Sequence, residues 1–165
     1  METILLNNKL ECPVIGIGTF MLLPVDAEKS VREALKMGYA LIDTANAYVN
    51  ERAVGRGMKE SGVKREDIFL STKLWPSEYE NKNAVDETLE RLGTDYVDLL
   101  YIHQPAGNWL AGYRQLEKAY KEGKARSILY TDRTPQNTGS IRHQAHELVS
   151  ARTWRQVAAE RTGFC

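Results

Sequence analysis

Three ionisable residues, Asp43, Lys73 and His103, stand thirty residues apart, and each terminates a short apolar run. The runs are "YALIDT" (39–44), "DIFLSTK" (67–73) and "YVDLLYIH" (96–103). An earlier run, "PVIGIGT" (13–19), and a later one, "ARSILYT" (125–131), keep the same rhythm. Apolar runs of this length, bounded by polar residues, read as buried strands. Helical patterns fill the gaps. "DAEKSVREALKMG" is expected to start with Asp26 as its N-cap and to stop at Gly38. "NERAVGRGMKESG" is a weaker helix, because Gly55 and Gly57 lower its propensity, and it ends at Gly62. "NKNAVDETLERLG" places Val85, Leu89 and Leu92 on one face. "NWLAGYRQLEKAYKEG" does the same with Leu116, Ala119 and Tyr120, and Gly123 is its stop. Ahead of all this, Asn7-Asn8 between two short apolar runs predicts a β-hairpin.

Strand and helix alternating through short connections mean βαβ units and a parallel sheet. Two architectures compete. A doubly wound sheet calls for a glycine-rich fingerprint after the first strand. Gly16-Ile17-Gly18 begins one, but Met21 stands where its third glycine belongs. A (β/α) barrel needs no such motif and gathers its chemistry at the C-terminal ends of several strands. Asp43, Lys73 and His103 fall there, so the barrel is the expected fold.

Those three residues, with Tyr48 just beyond Asp43, would then converge on one mouth. Each has an ordinary reading: Asp43 as a turn or cap residue, Lys73 as a solvated strand end, His103 as a structural histidine, Tyr48 as packing. The shared position in three successive repeats favours chemistry. A buried lysine beside a carboxylate stays charged, and an ammonium beside a phenol favours the phenolate. Such a tyrosine can donate a proton to a carbonyl oxygen that a histidine orients. None of the four can supply a hydride, so a nicotinamide cofactor is implied. Tyr120 and Lys124 form a Tyr-x-x-x-Lys pair, as in another reductase class, but Gly123 ends their helix and the fingerprint is missing.

Composition narrows the class. The formal net charge is zero, with no basic block, which argues against nucleic acid or an acidic membrane as partner. No run approaches a membrane span, and Met1-Glu2-Thr3 does not open a signal peptide. Cys12 and Cys165 are far apart and have no metal-ligand spacing, so no metal and a reducing, cytoplasmic setting are expected.

"GIGTF" (16–20), the stretch from Ala40 to Pro76, "RLGTDYVDLLYIHQP" (91–105) and "GKARSI" (123–128) together resemble the aldo-keto reductase family. The resemblance covers about 3–128. It implies a (β/α)8 TIM barrel that uses NADPH (NADP) to reduce aldehydes and ketones to alcohols. Tyr48 would be the general acid/base, with its phenolate favoured by Lys73. Asp43 would pair with Lys73, and His103 would orient the carbonyl. Gly18, Thr19 and Phe20, together with Asp43, would touch the cofactor, and Trp75, Trp109 and His103 would line the substrate mouth. The near-neutral charge and the tryptophans suggest a small, fairly apolar carbonyl compound as substrate.

The resemblance ends near residue 128, which divides the chain into a partial barrel (1–128) of four to five βα units and a divergent tail (129–165). All ten lysines lie at or before Lys124, whereas the tail carries five arginines and no lysine. That shift fits translation in a changed reading frame, a gene rearrangement or a genuine tail. Within the tail, Leu148, Ala151, Trp154, Val157 and Ala158 have weak helical periodicity. A partial barrel leaves strand edges open. The alternatives to a working reductase are therefore a non-catalytic half-barrel scaffold with impaired cofactor binding, or a homodimer in which two halves cover each other.

Overall fold

The computed structural model describes residues 2–129. The tail assigned to 129–165, and the helical pattern within it, lie outside them, apart from Leu129. The hairpin comes first: β1 (Thr3–Leu5) pairs antiparallel with β2 (Glu11–Pro13). Five parallel strands follow in sequence order, β3 (Gly16–Gly18), β4 (Leu41–Asp43), β5 (Phe69–Leu74), β6 (Leu99–Ile102) and β7 (Ile128–Leu129). Helices α1 (Pro24–Lys36), α2 (Glu51–Ser61), α3 (Ala84–Leu92) and α4 (Trp109–Lys121) connect them. Spatial order equal to sequence order is the winding of a barrel and not of a doubly wound sheet. The described residues are part of a (β/α) barrel preceded by a hairpin.

Strand β5 is buried along its whole length, as a central parallel strand covered on both faces must be. On the outer face, Ile42, Leu70, Leu74, Leu100 and Ile102 pack with Val31, Val54, Leu89 and Leu116 of the four helices. The inner face starts apolar at the N-terminal ends of the strands. There Leu41, Phe69 and Leu99 meet Leu6 and Cys12 of the hairpin, which closes that end. Polar inner-face residues follow towards the other end.

Several expectations shift. Helix α1 begins at Pro24, whose fixed φ suits the first helical position, so Asp26 sits in the first turn and Leu23 is the N-cap. Gly38, Gly62, Gly93 and Gly123 all take the positive φ expected of helix stops. Tyr120 is corrected: it is 46% exposed, while Gly112, Leu116 and Ala119 form the buried face of α4. The glycines of α2 are packing devices. A Cβ on Gly57 would stand 2.6 Å from the carbonyl oxygen of Glu28 in α1, and one on Gly55 would run into the carbonyl of Leu92 in α3. Helix α2 therefore touches both neighbours through its backbone. Gly57→Ala is expected to lower unfolding free energy by about 1–3 kcal/mol, through overpacking. Denaturant unfolding checks this, and an unchanged or raised midpoint would contradict the close-contact account.

Among the described residues no helix is long and apolar enough to cross a membrane.

Candidate active site

Register places the site. Gly18 pairs with Asp43, Asp43 with Ser71, and Lys73 with Tyr101. From β4 to β5 and from β5 to β6 the paired residues are 28 apart, whereas Asp43 and Lys73 are 30 apart. Lys73 and His103 thus each stand two positions further along the chain than the strand partner of the candidate residue before them. An advance of two keeps the same face. The side chains of Asp43, Lys73 and His103 therefore fan along one inner rim at the C-terminal end of the sheet.

Lys73 is 6% exposed. Its Nζ donates to Asp43 Oδ2 at 2.6 Å, to the Thr44 carbonyl at 2.9 Å and to the Tyr48 hydroxyl oxygen at 3.2 Å. An ammonium has three N–H groups and no acceptor, so these three contacts use it completely. The Tyr48 oxygen must accept from Lys73. Its own O–H is therefore free to point elsewhere, towards the mouth.

Tyr48 ends a 3-10 turn (Asn46–Tyr48) that its neighbours hold from two sides. Asn46 Oδ1 accepts from the Trp75 N–H at 2.9 Å, fixing the turn to the end of β5. Val49 then takes a left-handed φ of 57°, unusual for a β-branched residue, and swings the chain into α2. Asn50, 2% exposed, donates to the carbonyls of Thr19 at 2.8 Å and Leu22 at 3.0 Å. That ties the loop after β3 to the loop carrying Tyr48. Glu51, equally buried, anchors the start of α2 through Arg91 at 2.7 Å. Burial pushes its carboxyl up, with Arg91 pulling the other way.

Aromatic rings wall the mouth. Phe20, 66% exposed, lies 5.0 Å from the Tyr48 ring. His103 meets Tyr48 edge-on at 6.0 Å and Trp75 edge-on at 4.7 Å between centroids. Phe20, Tyr48, Trp75 and His103 are thus one group. Gly18 is exposed, and the space a Cβ would occupy there is open. Thr19 is fully buried, with its hydroxyl donating to Thr44 Oγ1 at 2.8 Å, so it acts inside the protein. Trp109 opens α4 and packs half-buried on the core.

Partial burial, with the Lys73 ammonium nearby, pushes the His103 imidazole below its ordinary 6.5. At neutral pH it is an uncharged ring, able to donate one hydrogen bond. A depressed folded-state value means this group favours the fold above 6.5, and that contribution is lost as pH falls through the lowered value. The stability difference between the parent and His103→Gln should therefore shrink on the acid side of 6.5. Denaturant melts across that range test it, and a pH-independent difference would contradict the assignment.

A separate cleft of about 680 Å³ between α2 and α3 carries Arg52, Arg56, Arg65 and Arg91. Each is already paired, with Glu90, Glu28, Asp98 and Glu51 in turn. It is a self-neutralised helix junction.

The sequence reading expected Asp43, Tyr48, Lys73 and His103 at one mouth, and the family resemblance added Phe20 on its cofactor side and Trp75 on its substrate side. It missed Ser71, Asn50 and Tyr101, which hold them. Ser71 and Tyr101 each lie two residues before a singled-out residue, a spacing that sets a shared face but does not reveal the Asp43 carboxylate as their partner.

Comparison with known proteins follows the same outline. The model of the Aldo/keto reductase family matches residues 14–154. A glyoxal reductase of Bacillus subtilis is 45% identical over 132 residues, 77% of this chain and 48% of the relative. The glycerol 2-dehydrogenase (NADP(+)) of Saccharomyces cerevisiae is 51% identical over 102 residues, 61% of this chain and 33% of the relative. The crystal structure of an aldo/keto reductase from Brucella melitensis superposes with a TM-score of 0.75 at 42% identity, covering 78% of this chain and 52% of that one. The chain spans about half the length of the curated relatives it matches.

Proposed function

The chain belongs to the aldo/keto reductase family, and from that premise we propose that it reduces a small aldehyde or ketone to an alcohol, with NADPH as the hydride donor. The observation that carries this is the saturated Lys73 ammonium, which leaves the Tyr48 O–H as the free proton donor at the mouth.

A carbonyl oxygen seated against Tyr48 accepts its proton while His103, neutral and partly buried, holds the same oxygen by a second hydrogen bond. The nicotinamide, when bound, supplies the hydride to the carbonyl carbon. The product is an alcohol, and Tyr48 is left as a phenolate. The adjacent Lys73 charge stabilises that phenolate, Asp43 keeps Lys73 charged in its buried position, and a proton from water restores the phenol. The reverse sequence oxidises an alcohol.

The residues present fit such a cofactor. Gly18 leaves open space at the register position beside Asp43, whose carboxylate is 38% exposed. Gly18, Phe20 and Asp43 would hold it, with Thr19 fixing the loop from inside. Trp75 and His103 line the substrate side, and Trp109 is assigned there by the family pattern. The yeast relative's name favours NADP(H), and the Bacillus relative's name makes glyoxal a first substrate to try. Cys12, a free buried thiol, is in keeping with a cytoplasmic setting. Among the described residues β3 and β7 each have a single hydrogen-bonded neighbour strand, which supports a second copy covering the open sheet.

Titration of the purified chain with NADPH, followed by tryptophan fluorescence, tests the cofactor half. Saturable quenching is expected. A folded sample that shows none would remove the cofactor assignment and leave a half-barrel scaffold.

A further inference from the structure

A second phenol lies beside the first and has no part in the reaction as written. Tyr101 is the register partner of Lys73 across β5 and β6. Its hydroxyl donates to Asp43 Oδ1 at 3.1 Å, while Lys73 takes Oδ2 at 2.6 Å. Ser71 Oγ, from β5, also donates to Oδ1, at 3.0 Å. The Lys73 ammonium lies 4.9 Å from the centre of the Tyr48 ring and 5.2 Å from that of Tyr101. Two phenols thus flank one ammonium, but their situations differ. Tyr48 is near the mouth and accepts from Lys73. Tyr101 faces the carboxylate, and burial, with the Asp43 charge, pushes its hydroxyl far above the ordinary phenol value. It keeps its proton and is a fixed donor.

We propose that Tyr101 is a positioning residue for carbonyl reduction: it clamps the Oδ1 edge of Asp43 so that Oδ2 stays on Lys73 and the third N–H of Lys73 stays on Tyr48. The torsion that turns a carboxylate about its Cβ–Cγ bond has a broad, soft profile. Asp43 is 38% exposed, so water competes for its oxygens. Two donors from two different strands, Ser71 and Tyr101, fix the plane of the group. With Asp43 turned, Lys73 would follow one oxygen or the other, and its contact with Tyr48 would lengthen. The kinetic half of this inference rests on the reductase reading, whereas the geometric half does not.

Tyr101→Phe removes the hydroxyl and keeps the ring. In protein labelled with nitrogen-15 lysine, the Lys73 ammonium should give a resolved signal, because three acceptors slow its exchange. In Tyr101→Phe that signal should broaden or vanish. Turnover should fall about tenfold in kcat, with KM for the carbonyl substrate within about twofold, because the loss lies in the proton-donating step. Tyr101→Leu is read the same way if the phenylalanine variant does not fold. An unchanged Lys73 signal overturns the proposal, as does a kcat within about twofold of the parent. If the parent chain does not turn over at all, the reductase reading fails and the ammonium signal alone decides: lost in the variant, the clamp stands; retained, it falls.

Discussion

Tyr48→Phe is expected to lower the kcat of carbonyl reduction by a factor of about 10²–10⁴ while leaving NADPH binding within about twofold of the parent. The size follows from the role. Phenylalanine keeps the ring that packs on Phe20 at 5.0 Å and against His103 at 6.0 Å, so the walls of the mouth survive. What is lost is the one O–H that Lys73 cannot occupy, together with the oxygen that accepts from Lys73 at 3.2 Å. Lys73 retains Asp43 and the Thr44 carbonyl, so the buried charge remains compensated and the fold should hold. Steady-state rates with glyoxal or a similar small carbonyl, beside a cofactor titration of the same sample, separate the two effects. Equal loss of binding and turnover would mean that Tyr48 shapes the site and does not donate the proton.

The second large effect concerns stability. Asp98, 1% exposed, lies just before β6 at the opposite end of the sheet from the mouth. Its Oδ2 accepts from Arg65 at 2.9 Å and from the Leu70 backbone N–H at 2.9 Å, and its Oδ1 accepts from Arg126 at 2.8 Å. One carboxylate thus joins the turn before β5, the β5 backbone and the segment leading to β7. Asp98→Ala would take the counter-charge from the partly buried Arg65 guanidinium, which keeps the Thr94 hydroxyl and the carbonyls of Ile68 and Tyr96 as acceptors, and would leave a buried N–H without an acceptor. Removing one member of such a buried pair costs about 3–5 kcal/mol. Against a typical total of about 5–15, that is a large share. Asp98→Asn keeps an acceptor for Leu70 and should lose less. Denaturant unfolding of both variants decides it, and a loss below about 1 kcal/mol for the alanine would mean that water replaces the carboxylate freely.

The thirty-residue recurrence was enough to point to the barrel and to set Asp43, Lys73 and His103 at one end of its strands, because a βαβ repeat writes the end of each strand as a change from apolar to polar. What it could not give is register. The 28-residue pairing and the two-residue advance of the functional positions depend on how strands lie side by side, and no single strand carries that information. Tyr101 was hidden for this reason: inside "YVDLLYIH" it reads as one more strand residue, and only its pairing with Lys73 reveals its carboxylate partner. Gly55 and Gly57 illustrate the converse. Propensity counted them against a helix, but the helix exists and the glycines record how closely α1 and α3 approach it. Tyr120 erred differently. A helical face one residue too wide placed it in the core, when Leu116, Ala119 and Gly112 already fill that stripe.

Asn50 is the other residue that chain order concealed. It follows Tyr48 closely, yet its partners are the carbonyls of Thr19 and Leu22, about thirty residues earlier. The loop bearing Phe20 is thereby held over Tyr48. The segment proposed to face the cofactor and the proposed proton donor are tied to one another by this buried amide, alongside the hydroxyl bond from Thr19 to Thr44.

The central claim is hydride transfer to a carbonyl carbon at this mouth. Its most direct measurement incubates the chain with NADPH carrying deuterium at the transferable position and a small aldehyde, and reads the alcohol by mass spectrometry. The account predicts an alcohol with one deuterium on the carbon that bore the oxygen, formed by the parent and not by Tyr48→Phe. Unlabelled alcohol, or no alcohol from a folded sample that binds NADPH, would contradict it.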